Sequence, residues 1–301
     1  MARFEQPKII LFSQHGMTDN NQGMGTLAHH LALPHFHVVA PTLGYVKTLF
    51  EIEPLIQTVE RSADQALKQY PDIPARIIAT SLGGVIWVEV LSRRPEWWHR
   101  IQSLVLLGSP IGGADLARIV DPFGWGVGIA EHLGQSRRCL AETITAVVPT
   151  LVVAGNIAGG RDGVVTIEST KLKYAHFTCL DGVAHWQIKS HPAVVKVIQE
   201  FWSQPRFPLP ALENSLISEL IKHFRCVPGI TDASDRGLPK AKPVFSFGDG
   251  TTVLAWTNLA GVKHIFVANA YGKCEYAGFV GWVHSTGLEQ AIDRVGEFSH
   301  R

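Results

Sequence analysis

The sequence has 301 residues, of which 46% are hydrophobic and 18% are charged, as is typical of a globular protein with a sizeable core. Its 27 Lys and Arg nearly balance its 26 Asp and Glu, so no strong net field attracts nucleic acid or an anionic membrane surface. We therefore expect no nucleic-acid partner.

The cysteines and the long uncharged stretches bear on the cellular compartment of the protein and on whether it spans a membrane. Four scattered cysteines without a C-x-x-C pair favour reduced thiols over a disulfide framework or a zinc site. The N-terminal apolar run IILF is too short for a signal peptide, and the uncharged run 143–160 contains proline, asparagine, three threonines and three glycines, which together make poor material for a membrane span. We expect a cytoplasmic protein with no integral membrane segment and no metal.

Six short apolar runs predict β-strands in the first two thirds of the chain. Most lack polar alternation, as expected for a parallel sheet covered by helices on both faces. Apolar residues at helical spacing predict a helix over 53–70, between the second and third strands. The pattern is that of an α/β protein with about six mostly parallel strands flanked by helices. The predicted strands are 8–13, 37–40, 76–80, 103–108, 150–155 and 175–180.

A change of composition near residue 205 predicts a domain boundary. The stretch SQPRFPLP contains three prolines and resembles a linker, so we expect one domain over 1–205 and a second over 206–301. The second domain begins with a predicted helix that places Leu212, Leu216, Leu220 and Phe224 on one face.

The rest of the second domain contains β-rich runs broken at glycine-containing turns, which predict two hairpins. A last helix is predicted over about 288–298, so this domain is expected to be a small α+β unit. Exposed strand edges would favour pairing, which makes a homodimer or a partner contact through this domain an open expectation.

The stretch IIATSLGG, residues 77–84, places Ser81 between the third predicted strand and a helix. A serine here is also a good helix N-cap, so the residue alone does not decide its role. However, Ala79 and Gly83 are small and lie two residues before and after it. A nucleophile elbow requires such residues because its sharp turn brings the strand and the helix close together.

An acid and a base follow the last two predicted strands of this sheet. Asp162 follows the fifth strand in GGRDGVV, and His185 follows the sixth in DGVAHWQ. Each has an ordinary alternative, an Asp–Gly turn for the first and one of 14 histidines for the second. Together with Ser81 they lie at the carboxyl ends of parallel strands, where such sheets place their sites. The order Ser, Asp, His predicts a catalytic triad.

The loop after the first predicted strand contains His15 and Gly16. Glycine lets a backbone approach closely, so the N–H groups of Met17 and Leu82 are predicted to form an oxyanion hole beside Ser81. The alternative is a plain strand-to-helix turn.

These motifs together resemble the α/β-hydrolase superfamily, and within it the lipase-like serine esterases, over about residues 5–203. The matching segments are HGMTDN, ATSLGG, RDGVV, VAHWQI and LVLLGSPIGGADL. Two positions differ: Ile111 stands where many lipases have His, and Ala79 replaces the commoner Gly, although small bacterial lipases also use Ala there. The C-terminal region of about 95 residues resembles no family.

The resemblance implies a compact α/β-hydrolase fold and an acyl-enzyme mechanism without a cofactor. Ser81 would attack an acyl carbonyl, His185 would transfer the proton, and Asp162 would orient the imidazole. The implied function is hydrolysis of a small-molecule or lipid ester with an apolar acyl group. Two alternatives stay open: an acyltransferase or thioesterase that uses the same nucleophile, and a non-catalytic binding or scaffold protein.

The predicted substrate contacts are aromatic. Trp186 adjoins His185, and a lid-like insertion over about 111–142 contains Phe123 and Trp125, which could line an apolar pocket. The alternative for this insertion is a short pair of helices packed on the sheet.

Overall fold

The computed structural model contains two β-sheets, each with its own helices. The first sheet is parallel and lies in the N-terminal part of the chain, and the second is antiparallel and lies in the C-terminal part. The structure describes residues 6–17, 19–44, 51–113, 136–157, 160–203, 215–233 and 235–300.

The first sheet has six strands in the order β2-β1-β3-β4-β5-β6, and all neighbours pair in parallel. The four central strands, β1, β3, β4 and β5, are almost entirely buried, which explains why they read as apolar runs in the sequence. The predicted parallel sheet is confirmed. Its strands are β1 Ile9–Gln14, β2 Phe36–Val39, β3 Ala75–Thr80, β4 Ile101–Leu107, β5 Thr150–Asn156 and β6 His176–Asp181.

Helices cover both faces of this sheet. Helices α1 and α6 pack on one face, and α2, α3 and α4 pack on the other. Helix α2 buries the apolar positions that predict it in the sequence. The bounds are α1 Asn21–Leu31, α2 Glu53–Gln69, α3 Leu82–Arg93, α4 Arg138–Thr145, α5 Ile167–Thr170 and α6 Pro192–Ser203.

The strand order reverses direction beside β1. From β1 the chain moves outward to β2, and it then returns to place β3 on the other side of β1. Helix α1 and helix α2 consequently lie on opposite faces of the sheet. A reversal of this kind opens a crevice at the carboxyl ends of the two central strands, where open α/β sheets bind ligands.

The second sheet has the order β7-β11-β10-β9-β8, and all its paired neighbours are antiparallel. Both predicted hairpins, β8–β9 and β10–β11, are confirmed. Helices α7 and α8 pack on this sheet through a separate core that contains Leu220, Phe224 and Leu288. The elements are β7 Ile230–Asp232, β8 Lys242–Ser246, β9 Thr252–Thr257, β10 Lys263–Ala268, β11 Cys274–Val280, α7 Leu216–Arg225 and α8 Ser285–Asp293.

The two helices of this second unit differ in extent from the prediction. The α-helix predicted over about 288–298 ends at Asp293, and a 3-10 helix continues over Arg294–His300. Gly296 lies in that continuation, and glycine has low helix propensity. Helix α7 begins after Ser215, whose hydroxyl accepts a hydrogen bond from the Ser218 N–H, and Leu212 lies outside the described residues.

A buried ion pair joins the two units. The Arg138 guanidinium on α4 binds the Asp232 carboxylate on β7, and the two side chains are only 3% and 1% exposed. Arg138 also donates to the carbonyl oxygens of Glu168, at 2.8 Å, and Lys171. The Asp232 N–H donates to the Gly112 carbonyl at 3.3 Å. The second sheet therefore docks beside the segment that follows β4.

The described ranges contain neither a membrane-spanning helix nor a cluster of metal-ligating side chains. Every helix within them is either too short or too polar to cross a lipid bilayer. Over the same ranges, no group of three or more His, Cys, Asp or Glu side chains is placed to hold a metal ion.

We expect Asp232→Asn to lower the free energy of unfolding by about 3–5 kcal/mol, because a charged Arg138 would stay buried without its counter-ion. Urea denaturation of the full chain measures this loss. The matched control is Glu53→Gln, which removes an ion pair to Arg93 at 2.7 Å in which Glu53 is 51% exposed. An exposed pair contributes about 0–1 kcal/mol. Equal small losses for both variants would contradict a buried ion pair between Arg138 and Asp232.

Candidate active site

Ser81 lies at the sharp turn between β3 and α3. Its backbone has φ 52° and ψ −126°, a conformation that is uncommon for any residue other than glycine. The Ser81 N–H donates to the Leu107 carbonyl on β4 at 2.9 Å, which ties the turn to the sheet. The hydroxyl makes no capping hydrogen bond to the first turn of α3, all of which the structure describes. The ordinary N-cap interpretation of this serine is therefore wrong.

The small residues beside Ser81 have the steric role that the motif predicts. Ala79 is completely buried in β3. A methyl group on Gly83 would lie 2.6 Å from the His15 carbonyl oxygen, which is closer than non-bonded atoms approach. The absence of a side chain at Gly83 thus lets the start of α3 pack directly on the chain that leaves β1.

The structure brings Ser81, His185 and Asp162 into one chain of hydrogen bonds. Ser81 Oγ lies 3.0 Å from His185 Nε2, and His185 Nδ1 lies 2.7 Å from Asp162 Oδ2. An ionised carboxylate only accepts hydrogen bonds, so Nδ1 carries the proton and the Nε2 lone pair faces the Ser81 hydroxyl. The His185 side chain is 15% exposed, whereas that of Asp162 is 2% exposed. The pair is thus open to solvent only on the side of the imidazole.

The loop that holds Asp162 is also the tight turn that its Asp–Gly sequence suggests. Asp162 Oδ1 accepts from the N–H groups of Val164, at 3.0 Å, and Val165, at 2.7 Å. The His185 N–H donates to the Asp162 carbonyl at 2.9 Å. The turn and the contact with the imidazole therefore coexist: one carboxylate oxygen closes the turn, and the other faces His185.

Gly108 is a residue of this site that the sequence does not single out. It follows β4 with φ 54°, and a methyl group there would lie 3.2 Å from His185 Nδ1 and 3.3 Å from Asp162 Oδ2. The imidazole and the carboxylate therefore pack over a position without a side chain. The only sequence signal for Gly108 is that a glycine directly follows a buried strand. Many ordinary turns have the same pattern, so this signal does not identify a site residue.

The chain after β1 passes close to Ser81. A methyl group on Gly16 would lie 2.9 Å from Ser81 Cβ and 3.2 Å from the Thr80 carbonyl oxygen. Met17 follows Gly16, and Leu82 follows Ser81 as the first residue of α3. The two residues whose N–H groups are predicted to bind an oxyanion thus both adjoin the serine turn.

Comparison with known proteins identifies the fold. No protein-family model matches the sequence, and no curated protein matches it either. Among solved structures, the propeptide form of Bacillus licheniformis lipase BlEst2 is 12% identical with a TM-score of 0.51, over 91% of this chain and 71% of that chain. The chain has the α/β-hydrolase fold.

Two further α/β-hydrolase structures align with a smaller share of the chain. The mature form of the same lipase is 16% identical over 65% of this chain and 91% of that chain, with a TM-score of 0.48. A monoacylglycerol lipase from Paleococcus ferrophilus is 16% identical over 66% of this chain and 97% of that chain, with a TM-score of 0.42. At 12% identity, the likeness to the propeptide form is one of fold. The fold predicted from the sequence is confirmed.

Exposed apolar side chains lie beside the His185 end of this α/β-hydrolase site. Trp186 is 66% exposed and Ile157 is 46% exposed. Both lie close to Gly163, which follows Asp162 in its turn. The predicted contact residues Phe123 and Trp125 lie outside the described residues.

The predicted lid-like insertion is described only at its two ends. Residues 111–113 follow β4, and residues 138–142 belong to α4. Ala141 of α4 is completely buried in the core. This end of the insertion is therefore a helix packed on the sheet, which agrees with the alternative interpretation for this part of the insertion.

Gly108→Ala should displace the His185 imidazole, because the added methyl group meets both His185 and Asp162. The matched control is Gly182→Ala, since Gly182 also has positive φ (76°) but has no described heavy atom within 4 Å of an added methyl. Both variants should lose roughly 1–2 kcal/mol of stability from backbone strain. Only Gly108→Ala should shift the His185 ring signals in an NMR spectrum of histidine-labelled protein. Unchanged His185 signals in Gly108→Ala would contradict this packing.

Proposed function

We propose that this protein is a serine hydrolase that cleaves carboxylic esters with apolar acyl groups through an acyl-enzyme. The observation that carries the proposal is the hydrogen-bond chain from Ser81 Oγ through His185 to Asp162 Oδ2. A nucleophile needs a base within hydrogen-bond reach and a third group that orients the base. These three side chains meet both requirements, and they follow β3, β6 and β5 in the α/β-hydrolase fold.

In the first half of the reaction, Ser81 Oγ forms a bond to the ester carbonyl carbon as its proton passes to His185 Nε2. The carbonyl oxygen becomes an oxyanion, which the Met17 and Leu82 N–H groups would bind. Each such donor typically contributes about 2.7–4 kcal/mol to transition-state stability. The imidazolium then gives its Nε2 proton to the alcohol oxygen as the carbon–oxygen bond breaks, so the alcohol leaves neutral.

In the second half, a water molecule attacks the acyl-enzyme and passes one proton to His185 Nε2. The carbon–oxygen bond to Ser81 breaks, and the proton returns to Oγ, which releases a carboxylic acid and restores the enzyme. Asp162 stabilises the imidazolium formed in both halves. Since Oδ1 is held by two N–H groups, Oδ2 keeps one fixed direction toward Nδ1.

The surroundings of the site favour an apolar acyl group over a charged one. Trp186 and Ile157 present exposed apolar surface next to His185 and Asp162, and ligand sites are lined mainly by such side chains. We therefore propose that Trp186 contacts substrate. Phe123 and Trp125 remain predicted contacts.

We expect an alkyl fluorophosphonate to label the wild-type protein and Ser81→Ala to abolish labelling. The same substitution should lower kcat for p-nitrophenyl esters by at least about 1000-fold, as losses of a catalytic serine do. Ser190→Ala is the matched control, because Ser190 is an exposed serine that bonds the Gln187 carbonyl near the site. Equal labelling of Ser81→Ala, or a wild-type protein that neither binds the probe nor releases p-nitrophenol, would overturn the proposal.

Product analysis separates hydrolysis from acyl transfer. Turnover of a thioester and an oxygen ester is followed in water and with a primary alcohol or thiol added as acceptor. A hydrolase yields mainly the free acid at low acceptor concentration. An acyltransferase instead yields mainly the transfer product, and that outcome would replace hydrolysis with transfer while keeping Ser81 as the nucleophile.

A further inference from the structure

A second histidine, His15, is completely buried in the loop that follows β1 and adjoins Ser81. Its Nδ1 is 2.9 Å from the Gly16 carbonyl oxygen, and its Nε2 is 3.0 Å from the Leu43 nitrogen. A carbonyl only accepts a hydrogen bond and a backbone N–H only donates one. The ring is therefore neutral, with its proton on Nδ1 and its lone pair on Nε2.

The contact to Gly16 fixes a peptide plane. In a trans peptide the C=O and the following N–H point to opposite sides, so the direction of the Gly16 carbonyl sets that of the Met17 N–H. Because His15 holds the carbonyl, the Met17 N–H is directed away from the ring. Gly16 itself lies against Ser81, since a methyl group added to it would lie 2.9 Å from Ser81 Cβ and 3.5 Å from Ser81 Oγ.

The contact to Leu43 anchors the ring from the other side. Leu43 is buried in the chain that follows β2, so His15 links the loops that leave β1 and β2. These two strands are neighbours on one side of the crevice. Loss of the ring would leave the Leu43 N–H without an acceptor in a buried place, which is costly.

We propose that His15 is a positioning residue that aims the Met17 N–H at the substrate oxyanion. This inference rests on the proposed function, because it assigns Met17 N–H a part in the same reaction. His15 touches no reacting atom, and it acts only through the Gly16–Met17 peptide. It should therefore affect the rate of the chemical step more than substrate binding.

Electrostatics keep His15 in the neutral form that this geometry needs. Burial lowers the pKa of His15, and Lys189 lowers it further, whereas the Gly16 hydrogen bond and Asp19 oppose the shift. Lys189 and Asp19 pair with each other, so their effects largely cancel. Protonation would place a second N–H against the Leu43 N–H. The stability that neutral His15 provides is complete above about pH 6.5 and is lost as pH falls through its lowered pKa.

The test compares His15→Leu with His15→Asn. The Asn amide can still donate to the Gly16 carbonyl, whereas Leu cannot. We expect His15→Leu to lower kcat by about 100- to 1000-fold, as removal of one oxyanion donor does, with KM changed less than threefold. His15→Asn should recover most of this loss. His223→Leu is the control, since His223 on α7 also bonds a backbone carbonyl, that of Ala291 on α8 at 2.7 Å, in the C-terminal part of the chain.

A readout independent of turnover keeps the two proposals separable. The Met17 amide signal in a ¹H–¹⁵N NMR spectrum should move in His15→Leu and return towards its wild-type position in His15→Asn. A wild-type protein without esterase activity would contradict the proposed function, but it would not contradict the positioning of the Met17 N–H by His15. An unmoved Met17 signal, or unchanged kcat in His15→Leu, would overturn the role of His15.

Discussion

His185 reaches Ser81 across the end of β4, and the arrangement of the whole site depends on this crossing. The two side chains follow β6 and β3, which lie three strand positions apart, or about 14 Å at the usual strand spacing. The imidazole can lie over the end of β4 only if no side chain stands there. Gly108 follows β4 at that point, and Asp162, which follows β5, holds the ring. Parallel pairing of four adjacent strands therefore defines the site as much as the three polar residues do.

The same sheet holds the strained turn at Ser81. A non-glycine residue at positive φ costs of order 1–3 kcal/mol and persists only where its surroundings fix it. The Ser81 N–H is bound by β4, and the Gly84 N–H donates to the Ser81 carbonyl at 3.0 Å. Both sides of the turn are thus fixed to buried elements. The burial of β3, β4 and α3 offsets this strain, so the turn persists in the folded protein.

The first sheet could be predicted because buried parallel strands leave a local record, short apolar runs between turn residues. Ser81, Asp162 and His185 could be selected because parallel strands end at one edge, so residues distant in sequence become neighbours. The contacts of Gly108, His15 and Arg138 could not be predicted. Glycine, histidine and arginine each occur in many structural roles, so the residue type does not identify the contact. No periodic pattern in the sequence indicates which distant backbone group or carboxylate each residue contacts. The C-terminal hairpins were predictable for the same local reason as the strands, but their docking through Asp232 was not.

His185 and His15 are both histidines near Ser81, but only one of them has surroundings that let it accept and release a proton. At His185, Nε2 faces a hydroxyl, which can donate to the neutral ring and accept from the charged one. At His15, Nε2 faces the Leu43 N–H, which can only donate, so a proton there would break the contact. A carboxylate supports the imidazolium at His185, whereas full burial opposes it at His15. In the proposed reaction, proton transfer is therefore confined to His185, and the oxyanion loop keeps one geometry while the base changes charge.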